Sequence, residues 1–96
     1  MIIQVERSGG VTGIPRKARI DTRKLDAAES QTVEQLVAAA GFFELPARMA
    51  PAEKGADRFQ YRIAIQSETR SHEVEVSEGA ASAQLSELIQ RVMALG

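Results

Sequence analysis

Between residues 59 and 66 the chain alternates without a break: Phe59, Tyr61, Ile63 and Ile65 face one way, and Gln60, Arg62, Ala64 and Gln66 the other. Successive side chains of an extended strand point to opposite faces, so this segment predicts a strand with one apolar side, central in a sheet that something else must cover. After the short Ser67–Arg70 turn the same period returns, with His72, Val74 and Val76 alternating against Glu73, Glu75 and Ser77. The two strands form a hairpin. Placing Ile63 opposite Val74 puts Tyr61 opposite Val76 and Ile65 opposite His72, and leaves Arg62 facing Glu75 as a charge pair on the outer face.

A second hairpin is legible near the N-terminal end. Ile3 and Val5 alternate with Gln4 and Glu6, the strand is expected to end near Arg7, and Ala18 and Ile20 share one face of the stretch from Arg16 to Thr22. Pairing Ile3 with Ile20 and Val5 with Ala18 keeps the apolar side chains together, whereas a slip of one residue would send a strand's apolar set to solvent. Between these strands Ser8 to Pro15 holds three glycines and a proline and reads as a long exposed loop.

Two helices complete the pattern. Asp26 and Glu29 have the spacing of a capping box, and Val33, Leu36, Val37 and Ala40 follow on one helical stripe until Gly41 stops it. Phe42, Phe43 and Leu45 are expected to cover one end of the core. A second long loop runs from Pro46 to Ala56, with two prolines, a glycine and no sustained period. The segment from Glu78 to Ser82 opens the last helix, striped by Leu85, Leu88, Ile89 and Val92, with Glu87 and Arg91 as an i, i+4 pair. The expected architecture is α+β and two-layered: a four-stranded antiparallel sheet covered on one face by two main helices, in the order ββαββα.

Composition narrows the function. Ninety-six residues with 44% hydrophobic and 26% charged side chains fit a single domain over residues 1–96, far from the signature of disorder. There is no cysteine, which removes thiol nucleophiles and thiolate metal sites, and the one histidine, His72, lies within a strand beside apolar residues. Glu73 and Glu75 point outward opposite Arg62 and read as a solvated face. The glycines of residues 9–13 lead into a strand and lack the helix start and lysine of a phosphate cradle. The net charge of −1, with no aromatics among the basic residues of the first hairpin, speaks against nucleic acid. Neither a secretion signal nor a membrane-length apolar run is present, so a cytoplasmic, cofactor-free protein that is not an enzyme is expected, as a monomer or weak homodimer.

Five segments, in order, carry a resemblance: Glu6-Arg7-Ser8-Gly9-Gly10, Gly13-Ile14-Pro15-Arg16, Phe42-Phe43-Glu44-Leu45-Pro46, Ala56 to Ile63, and Val76-Ser77-Glu78-Gly79-Ala80. Together they resemble the emfourin (protealysin inhibitor) family. What the resemblance implies is a small intracellular bacterial protein that inhibits thermolysin-like zinc metallopeptidases, the zinc belonging to the target. It assigns no inhibitory residue here, so the site is argued from physics.

An inhibitor of a cleft protease presents exposed, pre-ordered segments on a rigid scaffold. The first candidate is the loop of Ser8, Gly9, Gly10, Val11, Thr12, Gly13 and Ile14. Val11 and Ile14 belong to no stripe, and the resemblance implies a target that favours apolar side chains; alternatively, these two tuck onto the sheet edge. The second candidate is the loop from Pro46 to Asp57, with Met49 as an apolar contact and Glu53 or Asp57 as polar ones. The competing readings are a non-catalytic adaptor or homodimerising module that pairs through a strand edge, and a small enzyme or ligand-binding domain with a pocket between helices and sheet.

Overall fold

The computed structural model describes residues 1–9, 15–49 and 59–96. Strand β1 (Ile2–Gly9) pairs antiparallel with β2 (Arg16–Asp21), setting Ile3 against Ile20 and Val5 against Ala18. A turn of 3-10 helix, Thr22–Lys24, leads to α1 (Ala27–Ala40), and a second such turn, Phe42–Glu44, follows it. Next come β3 (Arg48–Met49), β4 (Phe59–Gln66), β5 (Ser71–Ser77), a third 3-10 turn at Glu78–Ala80, and α2 (Ala83–Leu95).

The described strands form a five-stranded sheet in the order β2-β1-β4-β5-β3, with β4 at its centre. Ile63 faces Val74, Tyr61 faces Val76, Ile65 faces His72 and Arg62 faces Glu75, as the alternation requires. The expected four-stranded, wholly antiparallel sheet is corrected by β3, which pairs parallel with β5 and makes the sheet mixed and the order ββαβββα. Two residues are too few to show a period. What makes Arg48–Met49 a strand is its neighbour: the Ala47 carbonyl accepts from Glu75 N–H at 2.8 Å, and Arg48 meets the Glu75 carboxylate at 3.5 Å.

The first strand does not stop at Arg7. It continues through Ser8 and Gly9, because β4 extends beside it and supplies Gln60 and Phe59 as partners. At the free edge of β2 the backbone is flanked by Arg16, Lys17 and Arg19, and such charges discourage one copy from adding its edge to another.

One face of the sheet is packed by the helices. Ile3, Val5, Ile63, Ile65, Val74 and Val76 are buried against Val33, Val37, Leu85, Leu88, Ile89 and Val92. Each such side chain taken from water contributes about 1.5–3 kcal/mol. Asp26 caps α1 by accepting from Glu29 N–H at 2.8 Å, and Gly41, at φ 60°, turns the chain out of the helix through the left-handed region. The expected return contact of Glu29 to the cap is absent. Its carboxylate instead takes the Arg91 guanidinium at 3.1 Å, tying α1 to α2, so Arg91 serves the helix pair rather than Glu87. The last helix starts later than its sequence implied: Ser82 caps it by accepting from Leu85 N–H at 3.1 Å, and Glu78–Ala80 forms the separate turn.

No helix among the described residues is long and apolar enough to cross a membrane. The expected alternative of a pocket between helices and sheet is not seen among the described residues. That space is filled by the core, and a groove runs over the opposite face, lined by Gln4, Glu6, Lys17, Arg19, Arg62 and Glu73.

Candidate functional site: the loop-bearing end of the sheet

Strand direction decides where the two long connections lie. β1 is antiparallel to both β2 and β4, so the end of β1 at Gly9 sits beside the starts of its two neighbours, with Gly9 directly opposite Phe59. Because β5 is antiparallel to β4 and β3 runs with β5, Met49 beside Val76 also reaches this end. The feet of both connections therefore share one end of the sheet. Sequence alone treats the two loops as separate candidates; pairing brings their anchors together.

Of the candidate contact residues, Ser8 and Gly9 lie in β1 and not in a loop. Gly9 has φ 84°, a conformation that side chains resist, so glycine is what lets the chain leave the strand here. Met49 is not an exposed loop residue either. It is half-buried in β3 and packs on the core, held there by the pairing with Val76. Gly10, Val11, Thr12, Gly13, Ile14, Glu53 and Asp57 lie outside the described residues.

The anchors are braced by side chains the sequence reading did not single out. The Arg7 guanidinium lies over the Phe59 ring at 4.5 Å, and the Phe59 and Tyr61 rings are 6.5 Å apart. Phe59 N–H donates to the Glu78 carboxylate at 3.4 Å, and Ser77 Oγ–H donates to Gln60 Oε1 at 2.8 Å. A signal was available: alternation puts Arg7 on the same side as Ile3 and Val5, an odd place for a cation. Arg16, directly opposite Arg7, turns to the Met93 carbonyl at the end of α2, 3.5 Å away.

The perturbed titratable groups lie at the opposite end of the sheet or on its open face. A hydrogen bond from Arg23 lowers the Asp21 pKa to about 2 at the opposite end of β2. On the open face, the hydrogen bond from Arg62 holds the Glu75 carboxyl below the usual range, and the same contact raises Arg62. His72 Nε2–H donates to the Leu45 carbonyl at 2.7 Å and its ring stands edge-on to Phe42 at 5.6 Å, so it secures the turn after α1. Among the described residues no group of three His, Asp or Glu side chains is placed to hold a metal ion. What this end offers is a braced platform for contact.

Comparison with known proteins gave three results. A search of curated protein sequences returned no match. Among solved structures the chain is similar to emfourin (M4in) from Serratia proteamaculans, an M4 family peptidase inhibitor, at 20% identity and a TM-score of 0.46, covering 94% of this chain and 86% of that one. The sequence model of the emfourin family matches residues 5–93, nearly the whole length, and the chain therefore belongs to the emfourin family.

Proposed function

We propose that this protein inhibits a thermolysin-like zinc metallopeptidase by lodging its two long connections in the active-site cleft. Membership of the emfourin family, whose members are peptidase inhibitors and not enzymes, supports the inhibitory role. The observation that favours these connections is the convergence of their feet, Gly9 and Phe59 facing each other with Met49 at the same end. A cleft is filled best by segments that arrive together from a rigid base, since less ordering entropy is then lost on binding. Val11 and Ile14 supply the apolar side chains for substrate pockets, and Glu53 and Asp57 the polar contacts.

The test is peptide hydrolysis by a thermolysin-like enzyme of the same organism, followed against concentration of the purified chain. Inhibition at or below about micromolar concentration is expected, and its absence there would remove the reading. Replacing Val11 and Ile14 together by aspartate is expected to weaken inhibition about tenfold or more while leaving the melting temperature nearly unchanged. Unaltered inhibition by that variant would move the contact elsewhere on the molecule.

A further inference from the structure

We infer that the loop-bearing end is a cationic docking rim, selecting a peptidase with carboxylates around the mouth of its cleft and acting chiefly on the rate of association. This rests on the inhibitory reading above and names the chemistry of the partner's surface. At this end the strands carry Arg7, Arg16, Lys17, Arg48 and Arg62. Against them stand Glu6, Glu75 and Glu78, with Glu73, two residues before Glu75 in β5, reaching Arg62 at 3.2 Å. The excess is positive in a chain whose net charge is −1, so the remaining surface is net acidic. The connections do not alter the balance: residues 10–14 are uncharged, and residues 50–58 set Lys54 and Arg58 against Glu53 and Asp57.

The carboxylates are already engaged. Glu6 meets Lys17 at 3.6 Å, Glu75 is held between Arg62 and Arg48 at 2.9 and 3.5 Å, and Glu78 accepts from Phe59 N–H. Arg7 and Arg16 differ. They are direct cross-strand partners, and among the described residues neither forms an ion pair: one lies on the Phe59 ring and the other reaches a carbonyl. Like charges set opposite each other on paired strands cost stability. The Phe59 ring and the Met93 carbonyl hold the two guanidiniums in place, yet neither contact neutralises their charge. An acidic partner surface provides the missing counter-charge, steers the encounter and raises the on-rate more than the lifetime.

The experiment is stopped-flow association of the full chain with a thermolysin-like peptidase that it inhibits, at about 20 and about 300 mM NaCl. The on-rate is expected to fall about tenfold across that range, and Arg7→Gln/Arg16→Gln to lower it about fivefold at low salt, with dissociation changed less than about twofold. The variant's melting temperature is expected to change little, the relieved repulsion offsetting the lost Phe59 stack and Met93 contact. Lys17→Gln/Arg48→Gln, at side chains 76% and 81% exposed, repeats the test without touching the Phe59 stack. Lys24→Gln, at the far end, is the control and should leave the on-rate unchanged. An on-rate indifferent to salt, or variants that match the unmodified chain while still inhibiting, would overturn this inference alone. No inhibition by the unmodified chain would overturn the reading on which it rests.

Discussion

Asp21 ends one element and starts the next. Its Oδ1 accepts from Arg23 N–H at 3.0 Å, capping the 3-10 turn, and its Oδ2 meets the Arg23 guanidinium at 3.1 Å. The hydrogen bond from that side chain brings the carboxyl from an ordinary 3.8 to about 2. A carboxyl with a folded pKa below its unfolded one stabilises fully above the unfolded value and loses that contribution as pH falls through the folded one. Asp21→Asn is therefore expected to melt below the unmodified protein at pH 7, with the gap closing between about pH 4 and about pH 2; thermal melts across this range check it. Gly41 gives a contrasting case. At φ 60° its missing side chain would meet nothing within 4 Å, so only the backbone conformation resists substitution. Gly41→Ala should cost about 1 kcal/mol in chemical denaturation, and Gly41→Asn less, with inhibition untouched by either.

At the scale of elements, the open face of the sheet carries one row across all five strands: Lys17, Glu6, Arg62, Glu75 and Arg48, alternating in sign. Three of its four junctions are ion pairs, and Arg62 also reaches Glu73 at 3.2 Å. An isolated pair survives a charge swap; a row does not. Arg62→Glu should lower the melting temperature, and adding Glu75→Arg should fail to restore it, because the exchange sets Glu6 against a carboxylate and Arg48 against a guanidinium. Full recovery in the double variant would reduce the row to one pair. Only part of this row was legible in the sequence. The Arg62 and Glu75 junction follows from alternation within a hairpin, where register is local. The junctions through Glu6 and Arg48 depend on β1 lying beside β4 and on β3 joining β5, and non-local pairing leaves no period to read. The candidate site divides the same way: both long connections stand out by their glycines and prolines, whereas their shared end, the strand placement of Ser8, Gly9 and Met49, and the Arg7 stack on Phe59 come from strand neighbours distant in sequence.

For the molecule as a whole, the arrangement separates what holds the fold from what is proposed to hold the partner. The core lies between the sheet and the two helices, while the connections proposed to make the contacts have their feet at the sheet's end. Leu88 is fully buried in that core. Leu88→Ala removes transfer energy and leaves a void, a loss of about 2–5 kcal/mol from a total of about 5–15 for a domain of this size. Its melting temperature should fall by roughly 10 °C or more, since each kcal/mol is worth several degrees in a small domain. Measured well below that temperature, where the variant is folded, the inhibition constant should stay within about twofold of the unmodified value, because a population-weighted loss of a small unfolded fraction barely changes the active concentration. The Val11 and Ile14 double replacement should do the reverse, sparing the melt and weakening inhibition. Comparing the two variants on both axes tests the separation directly. If Leu88→Ala loses inhibition in proportion to stability while still folded, the helix layer sets the geometry of the sheet's end, and the platform is not an independent support.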